Sequence, residues 1–147
     1  MGTIFEVVNN VAKLDLTKEA IRAIVTHKED IADINRDQLL DGLNTDGVKI
    51  TPDYQSPAYA RMKNRMNGAP GYGTPDLYKH GNFHEGIKVD VVNKDTFEQN
   101  STDSKNQMLK KKYPKILGLS ESGKEELIDN KGFEDTLLSN IKEVTKL

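Results

Sequence analysis

The stretch of residues 83–101 constrains the fold of this chain more than any other part of its sequence. From Phe83 to Val91 every second side chain falls on one face of an extended backbone, which is the period of a half-buried strand. That face carries Phe83, Glu85, Ile87, Val89 and Val91, with His84, Lys88 and Asp90 among the residues between. Residues 93–95 read Asn-Lys-Asp and tolerate turn angles, and residues 96–101 resume an extended pattern. The stretch predicts a β-hairpin.

A hairpin alone is marginally stable in water, so other elements must cover its apolar face. The chain has 147 residues, the usual size of one domain. Only 35% of its residues are hydrophobic, 30% are charged, and the mean hydropathy is −0.66. We therefore expect a thin domain, or one that completes its core against neighbouring molecules.

Amphipathic helices are predicted at both ends of the chain. Apolar residues at helical spacing follow Thr3, which we expect to cap a short opening helix, and a second helix is expected over residues 17–34 with Thr17 as its cap. A terminal helix is expected to lay an apolar face on the sheet; this face comprises Phe133, Leu137, Leu138, Ile141 and Val144. The predicted class is α/β (α+β), with a small antiparallel sheet whose central hairpin is covered by N-terminal and C-terminal amphipathic helices.

We expect a single domain over residues 1–147. Residues 1–67 are expected to form a mainly helical part with an ordered loop over residues 35–56. Residues 74–103 are expected to form the hairpin core, and residues 104–147 the C-terminal helices. Ser56 and Pro57 predict a helix start. In that helix Tyr59, Met62 and Met66 are expected on one side, and the basic residues Arg61, Lys63 and Arg65 on a solvated face.

Further breaks and caps follow from single residues. Residues 68–75 contain three glycines and two prolines and predict a flexible connection into the hairpin. Ser104 is expected to cap a helix that ends before Pro114, and Ser120 or Ser122 to open another.

The net charge and the absence of cysteine exclude several classes of function. With 21 basic and 23 acidic residues the net charge is −2, which gives no global attraction to nucleic acid or to anionic membranes. Absence of cysteine from the sequence excludes disulfides, thiolate zinc sites and cysteine nucleophiles. We expect no signal peptide and no membrane span, because no apolar run approaches about 20 residues.

Motifs with chemistry are scarce, so we expect no catalytic, cofactor-binding or metal site. His80 and His84 have helical spacing within a predicted turn and strand, where their side chains would not converge. The remaining metal hypothesis combines them with Asp76 or Glu85. A calcium loop at residues 33–44 fails, because Gln38 takes the position of the required glycine.

Residues 74–83 read Thr-Pro-Asp-Leu-Tyr-Lys-His-Gly-Asn-Phe. Followed by a hairpin, this run resembles the Asp-Leu-x-x-Thr-Gly-x-Phe/Leu element of small virion proteins of tailed bacteriophages, the head-tail connector or tail-completion proteins of the neck. Residues 101–105, residues 116–119 and the terminal helix are similar to such proteins from phages of Bacteroidetes, and residues 42–47 also fit. His80 departs from the pattern, since the family usually has Thr there. The structural turn or interface residues that the resemblance implies are Asp76, Leu77, Gly81, Phe83 and Lys105.

The resemblance implies a non-enzymatic virion protein, made in the bacterial host cytoplasm. It would form a ring of identical subunits between portal and tail, contact neighbouring neck, portal or tail proteins, and let DNA pass without specific binding. Candidate arms for neighbours are the N-terminal segment, residues 68–75 and the hairpin tip around Lys94. Two alternatives stay open. One is a cytoplasmic adaptor, and the other is a small DNA-binding or nuclease accessory protein. In the second alternative His80 or His84 would take part in the chemistry. The residues that would bind phosphate are Arg61, Lys63, Arg65, Lys110, Lys111 and Lys112.

Overall fold

The computed structural model describes residues 3–146. Its elements in chain order are α1 (Ile4–Ala12), α2 (Leu16–Thr26), α3 (Lys28–Leu40), α4 (Pro57–Met66), α5 (Asn82–Glu85), β1 (Ile87–Asn93), β2 (Thr96–Ser101), α6 (Asn106–Lys112), α7 (Glu121–Asn130) and α8 (Phe133–Thr145). Helices flank a two-stranded antiparallel sheet, so the predicted mixed α+β class is confirmed.

The hairpin forms where the alternating pattern predicts it, with one correction at its start. Ile87 pairs with Ser101 and Asn93 with Thr96, with an irregularity in register between Val91 and Asn93. Residues 83–85 are not strand. They belong to α5, because Gly81 adopts φ 85° and turns the backbone into one helical turn before β1 begins.

Helix α3 covers the hairpin and contributes to both parts of the core. One cluster of buried side chains consists of Ala32, Leu39, Ile50, Phe83, Ile87, Tyr113 and Ile116. The other consists of Ile24, Ile31, Ile34, Val89 and Leu127. Helix α3 packs along β1 and takes the place expected of the terminal helix, whose Phe133 still packs against the cluster that contains Val89. Helix α8 instead packs on α2, with α1 and α7 beside it.

The N-terminal caps are partly as predicted. The Thr3 hydroxyl accepts a hydrogen bond from the amide of Glu6 at 3.2 Å, and the Glu6 carboxylate accepts one from the amide of Thr3 at 3.0 Å. This capping box confirms the opening helix. The predicted cap at Thr17 is wrong, because the Asp15 carboxylate accepts from the amide of Lys18 and α2 begins at Leu16.

The predicted helix over residues 17–34 is interrupted at His27 and extends further than expected. The His27 ring lies 2.8 Å from the Asp30 carboxylate and 2.7 Å from the Thr136 hydroxyl, which ties the α2–α3 junction to α8. Helix α3 then runs to Leu40, so residues 35–40 are helix rather than loop. Tertiary hydrogen bonds of Asn35 and Gln38 explain this difference, because their side chains bind a distant segment instead of their own backbone.

Among the helix caps and the connection predicted for residues 56–120, some are confirmed and others are wrong. Ser56 and Ser120 cap α4 and α7 through their hydroxyls, as predicted. Ser104 does not cap α6, whose N-cap position is Lys105 and lacks a side-chain cap. The connection at residues 68–75 is packed rather than a free arm, since Pro70, Gly73, Thr74 and Pro75 are all buried. No helix within residues 3–146 is both long and apolar enough to cross a membrane.

Candidate functional site

Asp76 is the centre of a buried polar cluster at the turn that precedes α5. Its carboxylate is 2% exposed. Oδ1 accepts a hydrogen bond from the Tyr78 amide at 3.0 Å and lies 2.8 Å from the Lys63 Nζ. Oδ2 accepts from the Asn67 side-chain amide at 3.1 Å. The Asp76 carboxylate thus joins helix α4 to the turn, and its charge is balanced inside the fold.

Lys63 comes from α4, on the face that the sequence predicts to be solvated. The buried residues of this helix are Ala60 and Lys63, whereas Met62 and Met66 are exposed. The predicted solvated position is therefore wrong for Lys63, whereas Arg61 and Arg65 are exposed as predicted. The Lys63 ammonium donates to the Tyr78 carbonyl in addition to pairing with Asp76. The two acceptors in the turn supply the partners that a charge inside a protein requires.

His84 and Tyr54 complete the cluster around Asp76. The His84 Nε2 lies 2.8 Å from the Asp76 carbonyl, which requires a proton on Nε2. Burial lowers the pKa of His84, and the Arg36 and Lys63 charges act in the same direction. The Tyr54 hydroxyl accepts a long hydrogen bond, 3.4 Å, from the Asp76 amide. Burial, with the nearby Asp76 charge, raises the pKa of Tyr54. Both rings are thus held in their neutral forms near pH 7.

The backbone of this turn is strained at Leu77, and the buried polar cluster around Asp76 holds it in that conformation. Leu77 adopts φ 59°, which is rare for a residue with a branched side chain, and Gly81 adopts φ 85°. Such conformations persist where surrounding contacts determine them. Arg36 of α3 secures the other end of α5, where its guanidinium donates to the carbonyls of His84 at 2.7 Å and Ile87 at 3.0 Å.

A cleft of about 470 Å³ opens beside this turn, between residues 52–59, residues 77–83 and helix α6. Four tyrosines line it, namely Tyr54, Tyr59, Tyr78 and Tyr113. Its basic lining residues are Lys79, His80, Lys105 and Lys112, against the carboxylates of Asp53 and Asp103. Tyrosine rings and charges in a concave surface bind by stacking, hydrogen bonding and ion pairing. The cleft is thus suited to receiving a group from another molecule.

The structure brings most of the sequence-predicted site residues together. Leu77, Gly81, Phe83 and Lys105 all line this cleft. Asp76 is buried away from the lining and supports the turn from inside. His80 is exposed at the cleft while His84 is buried, so the two rings do not form the predicted alternative metal pair. Among residues 3–146 there is no group of three or more histidine, aspartate or glutamate residues that could hold a metal ion.

A second polar cluster positions residues 116–120. The Asn35 side chain donates to the Ile116 carbonyl at 3.0 Å and accepts from the Gly118 amide at 3.1 Å. Gln99 of β2 donates to the same Asn35 oxygen at 3.0 Å. The Gln38 side chain donates to the Gly118 carbonyl and accepts from the Ser120 amide. These hydrogen bonds hold residues 116–120 against α3, and the Gln99 bond connects Asn35 to β2.

Residues 116–119 form one wall of a second concave surface, which we call the apolar groove. It encloses about 630 Å³ between α2, α3, α7, the start of α8 and β2. Its apolar lining residues are Ile24, Ile31, Phe97, Ile116, Leu117, Leu119, Leu127, Ile128 and Phe133. Three lysines also line it, Lys110, Lys115 and Lys124.

Sequence reasoning missed several residues that organise these sites. Lys63 and Asn35 are polar residues on helices and Asn67 directly follows α4, positions where the default expectation for a polar side chain is exposure to solvent. The spacing of Ala60 and Lys63 does place them on one face of α4, but nothing local indicates that this face is buried. Their partners lie elsewhere in the chain, from 9 residues away for Asn67 to 83 for Asn35.

Comparison of this chain with protein-family models, with curated proteins and with solved structures found no match.

Proposed function

We propose that the chain is a structural protein of a tailed-phage virion, which forms a ring at the head-tail neck through protein-protein contacts and has no enzymatic activity of its own. The observation that carries this proposal is the apolar surface of α1 and of the hairpin tip. Ile4, Phe5 and Val8 on α1 are exposed, as are Val92 and Phe97 on the hairpin. Ile4, Phe5 and Val8 occupy neighbouring positions of α1, and grouped exposed apolar side chains on a chain otherwise this polar are typical of an interaction site.

The sheet supports the same proposal. Within residues 3–146 it has two strands, so each strand has one edge without a strand partner. Open edges pair with extended segments of other chains. The tyrosine-lined cleft adds a concave surface beside the turn that resembles the phage neck proteins, and tyrosine is enriched where proteins bind each other. Virion localisation and the neck partners rest on the resemblance of residues 74–83.

Mass spectrometry of purified virions, together with light scattering of the isolated protein, tests this proposal. We expect the chain in virions at a stoichiometric, ring-like copy number and concentration-dependent assembly in solution. Its absence from virions, with a monomer that persists at high concentration, would overturn the neck function.

The DNA-handling alternative is favoured by one feature, the exposed basic run of α6. Lys110, Lys111 and Lys112 are exposed, and Lys112 lies at the cleft. Lys63 and His84, which this alternative would use, are buried and bonded within the chain. A variant that combines Lys110→Gln, Lys111→Gln and Lys112→Gln should lose salt-dependent DNA binding if the alternative holds. If the parent and this variant bind DNA equally well, or if neither binds DNA, the result counts against the DNA-handling alternative.

A further inference from the structure

We propose that the chain forms an isopeptide bond within itself, between the Lys63 Nζ and the side-chain Cγ of Asn67, with the Asp76 carboxyl group as the proton carrier. The reaction is a single step of the chain on itself, without turnover. It rests on the buried polar cluster around Asp76 and goes beyond the neck function.

The two reacting side chains meet at the two oxygens of one buried carboxylate. The Lys63 Nζ lies 2.8 Å from Oδ1 of Asp76, and the Asn67 Nδ2 donates to Oδ2 at 3.1 Å. Both distances are within the hydrogen-bond reach that a general acid or base requires. The backbone amide of Asn67 also donates to the Lys63 carbonyl at 2.8 Å, so the two residues lie one helical turn apart.

Hydrogen bonds orient the Asn67 carboxamide at both of its polar atoms. Oδ1 accepts from the Ala69 amide at 3.2 Å, and Nδ2 donates to the Leu40 carbonyl at 2.8 Å in addition to Asp76. Negative charge develops on Oδ1 when a nucleophile attacks Cγ, and the Ala69 amide stabilises that charge. The Leu40 carbonyl and the Asp76 carboxylate hold the nitrogen that has to leave.

Burial supplies the conditions for the reaction. Lys63 is 5% and Asp76 2% exposed, and Thr74 and Pro75 beside them are also buried. Separated charges are costly in such surroundings. One proton can therefore pass from Nζ to Oδ1, which leaves the neutral amine that acts as the nucleophile. The exclusion of water also protects the intermediate from hydrolysis.

Bonds and protons balance in this reaction. After the first proton passes to Asp76, the neutral Nζ attacks Cγ of Asn67 and the Nζ–Cγ bond forms. Asp76 gives its proton to Nδ2 and takes a second proton from Nζ. The Cγ–Nδ2 bond then breaks and ammonia leaves. The products are a secondary amide and a protonated Asp76 carboxyl group, so the lost lysine charge leaves no unpaired carboxylate behind.

Gly68 provides a competing nucleophile for the same carbon atom. Its backbone nitrogen follows Asn67 directly and can attack Cγ to form a succinimide, which also releases ammonia. The two products have equal mass, but only the isopeptide bond uses Lys63. The succinimide hydrolyses to aspartate or isoaspartate, whereas the isopeptide bond is a stable amide.

Mass spectrometry of the purified full chain tests the proposal. We expect an intact mass lower than that of the sequence by one ammonia molecule, and this deficit should persist after incubation at alkaline pH. A tryptic digest should show no cleavage after Lys63 and should contain a branched peptide that joins Lys63 to Asn67. A chain of full mass, with normal cleavage after Lys63, would overturn the proposal.

Two variants separate the isopeptide bond from the succinimide. Lys63→Arg keeps a positive charge beside Asp76 but lacks the amine, so it should retain the full mass. Gly68→Ala should lose ammonia like the parent, because its Cβ would lie 3.5 Å from the Asn64 carbonyl oxygen, an ordinary contact. A deficit that survives in Lys63→Arg, or that disappears in Gly68→Ala, assigns the reaction to Gly68 and contradicts the proposal. If Lys63→Arg does not fold, the branched peptide of the parent decides the outcome.

Asp76→Asn tests the proton carrier. It retains an oxygen for the Tyr78 amide but has no carboxyl group, so we expect cross-linked chain to form about a hundredfold more slowly than in the parent. Asp53→Asn, at an exposed carboxylate, is the matched control and should react like the parent. Circular dichroism checks that both variants fold. Cross-linking of folded Asp76→Asn at the parent rate would exclude Asp76 as the proton carrier.

Discussion

The Lys63 ammonium and the Asp76 carboxylate lie 2.8 Å apart, with side chains that are 6% and 2% exposed. This ion pair connects helix α4 to the turn that leads into the hairpin. A buried pair is strongly destabilised when one partner is removed, because the other charge is left uncompensated.

We therefore expect Lys63→Met to lower the free energy of unfolding by about 3–5 kcal/mol, measured by denaturant titration. Arg61→Met, on the exposed side of the same helix, should change it by less than about 0.5 kcal/mol. Equal effects of the two substitutions would show that the pair does not hold α4 in place.

The stability should depend on pH through His84. Burial lowers its pKa in the folded state, so folding favours the neutral ring and the unfolded chain takes up the proton first. Stability is therefore present above the ordinary histidine pKa of about 6.5 and is lost as pH falls through the lower folded value. His84→Gln, which keeps a donor for the Asp76 carbonyl but does not titrate, should show a shallower loss of unfolding free energy between neutral and acidic pH.

Parallel slopes for His84→Gln and the parent would contradict this assignment. His27→Gln, at a second buried histidine, tests whether the change in slope is specific to His84. Thermal or denaturant unfolding at a series of pH values provides the measurement.

Gly81 is expected to be required for the turn into α5. Its φ of 85° is unfavourable for a residue with a side chain, at a cost of about 1–2 kcal/mol. An added Cβ would also lie 3.0 Å from the Tyr78 hydroxyl. Gly81→Ala should therefore destabilise more than Gly132→Ala, because Gly132 has φ 75° in the same N-cap position but nothing within 4 Å of its Cβ. Denaturation curves of equal midpoint would rule out a role for the Tyr78 contact.

Asn35 is expected to hold residues 116–120 in place. Asn35→Ala removes the partners of the Ile116 carbonyl and the Gly118 amide, and each buried polar group without a partner costs about 1–3 kcal/mol. Hydrogen exchange should show faster exchange at residues 116–120, and Asp37→Ala on the exposed side of α3 is the control. Unchanged protection at Gly118 in Asn35→Ala would show that other contacts suffice.

Local patterns predicted the elements whose causes lie within a few residues. The capping box of Thr3 and Glu6, the Ser56 and Ser120 caps and the second strand of the hairpin all depend on neighbours in the sequence. The prediction of strand at residues 83–85 is wrong, because the alternation there also fits one helical turn with Phe83 and His84 buried.

The sequence by itself determined the α+β class, the hairpin turn and the starts of α1, α4 and α7, since hydrogen bonds between near neighbours and the periods of apolar residues specify them. Only the tertiary structure decided which face of α4 is buried, that α3 rather than α8 covers the sheet, and that four of the five predicted turn residues share one cleft. Lys63 shows the physical reason. Its burial depends on a carboxylate 13 residues away and on a carbonyl 15 residues away, and no local period records such a partner.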